Sequence, residues 1–463
     1  FIAIFTLIAG ILLVAGTQIM AKKGVKAFMV GPDGTAWLEE NAADEKEEET
    51  EDNSEEVSEA GKAAEEDGGA GTAEREETAV QNLRPEKKRN RGIRKRKRAE
   101  QLRGCCPFPS IKAIGNYVKR KEIKMKIADM HCDTLLHGLG KGVNDIYDMP
   151  DAMLDIKRMA EANVLCQFFA VFFPPRPEML TPQEREKRLK AGRPEMPPDE
   201  ELFSKAVSLM KDSFAAHKDV IRQAYCFDDV MKNKEQGLIS GVLTVEDGRM
   251  VNGSFDRLEQ LAKTGVRAIA LTWNFENCFG APNSRDPKIM SKGLSAFGKE
   301  AIEAMNELGI LVDVSHLSDG GFYDVAKISK KPFVATHSDC RALAAHPRNL
   351  TDDMIRLLAQ KGGVSGINFA PAFLDDTQGN NTSRISDMVR HVKHFIEIGG
   401  EDCVGIGTDF DGIGGNLEVG EPGQLALLFE ALEKAGITPR QIDKIASGNV
   451  LRVMKETMRP RFE

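Results

Sequence analysis

His131 and Asp133 stand two apart in KIADMHCDT (126–134), Glu246 closes LISGVLTVEDG (238–248), and His316 and His337 close ILVDVSHLS (310–318) and PFVATHSD (332–339). Each follows a short apolar, β-branched run. On a strand, residues i and i+2 share a face, so the imidazole of His131 and the carboxylate of Asp133 converge. A lone His-x-Asp pair is a weak signal. Together with the other three it makes three imidazoles and two carboxylates, nitrogen and oxygen donors of the borderline softness that suits Zn²⁺. Five donors exceed what one zinc ion takes. Two ions bridged by Glu246 use them all, and such a pair, about 3.5–4 Å apart, acidifies a shared water and polarises a carbonyl. Asp409, closing CVGIGTDFDG (403–412), has the chemistry of a general base that later protonates a leaving amine. Asp411 shares its face and competes for that role. Arg348, in AHPRN, is either a bidentate clamp for a carboxylate or a surface arginine. His137, His217, His391 and His394 read as hydrogen-bonded structural or surface histidines.

These residues need a scaffold that gathers distant strand ends. From Lys124 onward, apolar runs alternate with helical patterns, the signature of βα units and a parallel sheet. Besides the five runs above, NVLCQFFAVFF (163–173), VRAIALTWN (266–274) and GVSGINFA (363–370) complete a set of eight. LSAFGKEAIEAMNELG (294–309) and TDDMIRLLAQKG (351–362) read as intervening helices, the second capped by Thr351 and stopped at Gly362. The fold class is therefore α/β, a (β/α)8 TIM-type barrel over residues 123–463, with chemistry at the C-terminal strand ends.

The net charge of −8 and 29% charged residues conceal two unlike parts. Residues 1–20 are apolar and uncharged, long enough for a membrane anchor or a truncated signal. Lys22, Lys23 and Lys26 follow, which favours a membrane-anchored chain with a cytoplasmic barrel. Residues 21–122 read as a disordered linker, acidic over Glu39–Thr78 and basic over Arg84–Arg103. No aromatic residues interleave the basic run, so no nucleic-acid partner is expected. The eight cysteines show no regular spacing or paired motif and read as reduced thiols. A homodimer of barrels is compatible with this pattern, and Met125 resembles the start of a shorter chain.

The motifs DMHCDT, TVEDG, DVSHLS, ATHSD, HPRNLTDD and GIGTDFDG resemble those of the membrane (renal-type) dipeptidase family, zinc metallopeptidases of the amidohydrolase-like barrel group. The resemblance covers about Ile127 to Val453. It implies two zinc ions, one on His131 and Asp133, the other on His316 and His337, with Glu246 bridging. It also implies Asp409 rather than Asp411 as acid–base residue, and Arg348 on the substrate's terminal carboxylate. The implied reaction is dipeptide hydrolysis by a metal-bridged hydroxide, with a D-residue tolerated at the C-terminal position. One departure concerns the fourth strand. Members similar to the mammalian enzymes carry a histidine there to hold the carbonyl oxygen, whereas this chain has Trp273. That task would pass to zinc, to Asn274 or to Asn277. The competing readings are another metal hydrolase of this barrel type, such as a deacylase or lactonase, and an inactive membrane-tethered peptide-binding barrel.

Overall fold

The computed structural model describes residues 125–190 and 197–461, together with the backbone of Phe28–Val30 and Ala36–Leu38. Eight parallel strands form the barrel: β1 (Ile127–Asp129), β2 (Val164–Phe172), β3 (Ile239–Glu246), β4 (Val266–Ala270), β5 (Leu311–Asp313), β6 (Val334–Ala335), β7 (Val364–Ile367) and β8 (Val404–Ile406). Neighbours in sequence are neighbours in the sheet, and β8 closes on β1 through the pair Ile406 and Asp129. All eight expected runs became strands. They are buried on both faces, which is why they read as continuous apolar runs. Alternate strand residues enter two apolar clusters, as a period of two requires. Ile127, Phe169, Leu243, Ile269 and Val312 pack with the surrounding helices, whereas Ala128, Phe168, Val242, Ala268 and Leu311 join Val450 and Met454 of the C-terminal helix Asn449–Thr457.

The two expected helices are Ala296–Leu308 and Asp352–Gln360, the second begun by Thr351, whose side chain accepts from Met354 N–H. Two elements went unread. Ile221–Gln223 forms a further strand against the first residues of β3; a three-residue run with Arg222 exposed is too short and too polar to register as a strand. Between β2 and β3 the chain also makes a long helical excursion containing Pro182–Lys190 and Asp199–Ala216. Within the stretch expected to be only linker, Phe28–Val30 pairs antiparallel with Ala36–Leu38.

Two glycines draw the sixth, seventh and eighth strand ends together. A side chain at Gly366 would come within 2.1 Å of Thr336 O, and one at Gly407 within 1.8 Å of the same oxygen. Only the absence of a Cβ permits this approach. It brings the chain segments carrying His337, Asn368 and Asp409 side by side. Among the described residues no helix is long and apolar enough to cross a membrane; the anchor reading for residues 1–20 and most of the linker lie outside them.

Candidate active site

The site assembles from six residues at, or just beyond, five strand ends. Glu246 is the last residue of β3, while His131 and Asp133 follow β1, His316 follows β5, His337 follows β6 and Asp409 follows β8. All six are buried. Glu246 stands in the middle. Its Oε2 lies 3.4 Å from His131 Nε2, while its Oε1 lies 2.8 Å from His316 Nε2 and 3.6 Å from His337 Nε2. On the far side, His131 Nε2 is 3.7 Å from Asp133 Oδ1 and 3.9 Å from Asp409 Oδ1. The rings of His131 and His337 stack at 3.8 Å between centroids.

Several observations show that these residues fit a metal. His131 Nε2 and Asp133 Oδ1 are buried without a hydrogen-bond partner, a costly state unless a cation meets them. Asp133 occupies the N-cap of helix Thr134–Lys141, yet its carboxylate makes no capping bond and stays turned to the site. His316 Nε2 and His337 Nε2 are only 3.1 Å apart. Their Nδ1 atoms face Asn274 Oδ1 at 3.4 Å and Thr336 Oγ1 at 2.8 Å. With a hydrogen on each Nδ1, both Nε2 atoms present lone pairs toward Glu246 Oε1, an arrangement that a cation converts from repulsive to attractive. His131, Glu246 and His337 offer donor atoms within 4.8 Å of one another, and so do His131, Asp133 and Asp409.

The electrostatics reflect crowding of carboxylates and imidazoles out of water. Burial lowers the His131 pKa, but the carboxylates of Glu246, Asp133 and Asp409 outweigh it and raise it to about 10. Burial raises Glu246, yet His131 and the other imidazoles carry it well below the ordinary carboxylate range. Asp133 moves the opposite way, upward through burial and the negative Glu246. Burial and the Arg348 guanidinium depress His316 to about 4, and burial and His131 carry His337 well below the ordinary imidazole value. Asp409 rises to about 6, chiefly by burial, with His131 opposing.

Asp409 and Asp411 differ in their partners. Asp411 is occupied on both oxygens, by Thr134 Oγ1 at 2.6 Å and Met153 N–H at 2.6 Å. Asp409 accepts from Asn368 Nδ2 at 2.9 Å through Oδ2 and turns Oδ1 toward His131. Asp409 (φ 61°) and Asp411 (φ 69°) both adopt the left-handed region, which aspartate visits more readily than most residues, so the backbone does not separate them. Gly412 makes room here, since a Cβ there would meet Asp133 Oδ2 and Asp409 Oδ1 at 2.5 Å each.

Arg348 is not a surface arginine. It is 4% exposed, donates to Ser338 Oγ (3.0 Å) and His337 O (3.2 Å), and lies over the Phe373 ring. Its Nε is buried without a partner. Trp273 is half-buried, 4.9 Å from the Phe172 ring and 6.2 Å from that of His316. Asn274 is exposed and its Oδ1 faces His316 Nδ1 at 3.4 Å. Asn277 has other partners. Its amide donates to Asp247 Oδ1 and Leu271 O and accepts from Phe279 N–H, because it ties the β3 and β4 loops together.

Of the four histidines set aside, His137 lies one helical turn beyond Asp133, its backbone N–H donating to Asp133 O, and the other three have partners of their own. His217 pairs with Asp145, His394 with Asp352, and His391 bridges Cys340 N–H and Leu374 O. The six described cysteines are free thiols; Cys105 and Cys106 lie outside the described residues. Sequence reading missed Asp129, Asp313, Thr336, Asn368 and Thr408, which anchor the strand ends, and His346, which accepts from Arg348 N–H. Asp129 and Asp313 carried a visible signal, a carboxylate inside an apolar strand, but nothing in spacing says which partner meets it.

Residues 118–461 match the family described as membrane dipeptidase (Peptidase family M19). The chain belongs to the membrane dipeptidase family. Relatives include an uncharacterized protein in the pqqA 5′ region of Klebsiella pneumoniae, 34% identical over 262 residues, 55% of this chain and 96% of that protein. An uncharacterized dipeptidase of Schizosaccharomyces pombe is 36% identical over 238 residues, 50% of this chain and 56% of its own length. Among solved structures, a metallopeptidase described as dipeptidase AC superposes with a TM-score of 0.64 at 26% identity, covering 72% of this chain and 99% of its own. A metallopeptidase from Rhodobacter sphaeroides, liganded with a phosphinate mimic of L-Ala-D-Ala, gives 0.63 at 27% identity, with 72% and 99% coverage. This dipeptidase is thus a metal-dependent hydrolase of the M19 kind.

Proposed function

We propose that this dipeptidase cleaves dipeptides with two zinc ions, one on His131 and Asp133, the other on His316 and His337, with Glu246 bridging. The observation that carries the reading is the division of Glu246: one oxygen faces His131, the other faces His316 and His337. Bound there, a zinc pair would acidify water and polarise the peptide carbonyl. The remaining work falls to the protein. Asp409, its pKa raised to about 6 and steadied by Asn368, can accept a proton near neutrality and return it to the departing amine. Arg348 supplies a fixed guanidinium beside the site for the substrate's terminal carboxylate. Tolerance of a C-terminal D-residue is supported by the Rhodobacter sphaeroides relative, whose ligand mimics L-Ala-D-Ala. With Asn277 engaged elsewhere and Asn274 turned to His316, the carbonyl oxygen is left to the metal pair.

Arg348→Ala separates this reading from a deacylase or lactonase. Loss of a charged hydrogen-bond partner costs about 1.5–3 kcal/mol, so kcat/KM for a free dipeptide should fall about 10- to 100-fold. Hydrolysis of the corresponding dipeptide amide should change little, because it has no carboxylate to grip. Equal losses on both substrates would remove the clamp from the proposal. Absence of turnover for every L,L- and L,D-dipeptide, with two metals bound, would favour the peptide-binding alternative.

Acid should unload the metals. The His131 proton, held with a pKa of about 10 in the metal-free site, must leave before Nε2 can ligate. Since the raised pKa means a proton is bound at neutral pH, metal affinity should rise with pH, about tenfold per unit for each proton displaced. Zinc titrations in a competing chelator between pH 6 and 8 would measure the slope; a flat profile contradicts it.

A further inference from the structure

Asp313, the last residue of β5, receives four donors: Ser315 N–H (2.9 Å), Thr336 N–H (3.0 Å), Ser315 Oγ–H (2.6 Å) and Thr336 Oγ1–H (2.5 Å). A threonine hydroxyl has one proton, and Thr336 gives it to Asp313. The same hydroxyl oxygen lies 2.8 Å from His337 Nδ1. Toward that ring it can only accept, which requires the hydrogen of His337 on Nδ1 and leaves a lone pair on Nε2. Nε2 is the atom that faces Glu246 Oε1 at 3.6 Å. Asp313, Thr336 and His337 are each at most 3% exposed, so water cannot replace any member.

We propose that Asp313 and Thr336 form a positioning relay that holds His337 in its metal-binding tautomer and orientation. The inference rests on the zinc reading above. A parallel clamp sits at the junction of β1 and β8, where Asp129 accepts from His131 N–H (3.3 Å), Thr408 N–H (3.0 Å) and Thr408 Oγ1–H (2.7 Å). There the threonine precedes Asp409, not an imidazole. The carboxylate–threonine clamp thus ties two pairs of adjacent strand ends, and the contact to an imidazole is the addition at β5 and β6. Imidazole ligands need such an acceptor on the second nitrogen to fix their tautomer.

Two substitutions break the relay differently. Thr336→Val keeps the shape but leaves Nδ1 without an acceptor. Asp313→Asn can turn an amide N–H toward Thr336, sending the hydroxyl proton to His337 Nδ1 and favouring the wrong tautomer. Thr336→Ser restores the hydroxyl. The measurement is zinc retention by the full chain against a chelator, with thermal unfolding of the metal-free protein as the check on folding. Both disruptive variants should bind one of the two zinc ions about 10- to 100-fold more weakly, and Thr336→Ser should stay within about threefold of the parent. Parent-like retention of both zinc ions by Thr336→Val and Asp313→Asn would overturn the relay, as would an equal loss in Thr336→Ser. If the parent itself holds fewer than two metals, the zinc reading fails instead.

Discussion

Replacing Glu246 with glutamine should reduce bound metal from two ions to at most one per chain and lower kcat/KM on the order of 10³-fold or more. The substitution keeps the volume of a buried side chain, so the barrel should still fold. What it removes is the symmetry of the carboxylate. In Glu246 both oxygens carry lone pairs and negative charge, one toward His131 and the other toward His316 and His337. A glutamine offers an oxygen to one side and N–H donors to the other, and a nitrogen bearing two hydrogens is no ligand. Whichever way the amide turns, one metal position loses its bridge and the other loses charge compensation. Metal analysis after dialysis, combined with dipeptide turnover, checks this. Two retained metals with near-parental turnover would show that Glu246 does not bridge.

Asp409→Asn should do nearly the opposite. Zinc content should hold close to two per chain, because His131, Asp133, Glu246, His316 and His337 are all untouched. Turnover should drop about 10²- to 10⁴-fold, the usual contribution of a positioned acid–base group. Asn can still hydrogen-bond to Asn368 after that side chain turns over, so packing survives. It cannot carry a proton from the attacking water to the leaving amine. The effect should fall on kcat, with KM little changed. A variant that retains kcat but loses a metal would instead make Asp409 a ligand, a role its 3.9 Å approach to His131 Nε2 would then have to explain.

Much of the site was legible because chemistry in a parallel barrel is confined to one end of each strand. His131, Asp133, Glu246, His316, His337 and Asp409 each interrupt or close an apolar run, and a buried strand tolerates such residues only where something compensates them. That is a local property, readable one segment at a time. Arg348 was ambiguous for the same reason: it lies in a loop, where an arginine is ordinarily solvated, and its burial beneath Phe373 depends on a helix far along the chain. Asn277 was open for a related reason: an asparagine near a site can serve either substrate or backbone, and its three bonds to Asp247, Leu271 and Phe279 come only with the fold.

The amino-acid order alone carried the periodicity of eight βα units and the identity of the donor groups, since side-chain alternation and ligand chemistry are written residue by residue. The fold supplied the pairings. Which oxygen of Glu246 faces which imidazole, why both oxygens of Asp411 are occupied but only one of Asp409, and how Asp313 reaches His337 through Thr336 all depend on contacts between different strands. The close approach of the sixth, seventh and eighth strand ends depends in turn on Gly366 and Gly407, which lack the Cβ that would meet Thr336 O. Hydrogen-bond partners are a property of distance in space, and separation along the chain places no bound on it once the barrel closes.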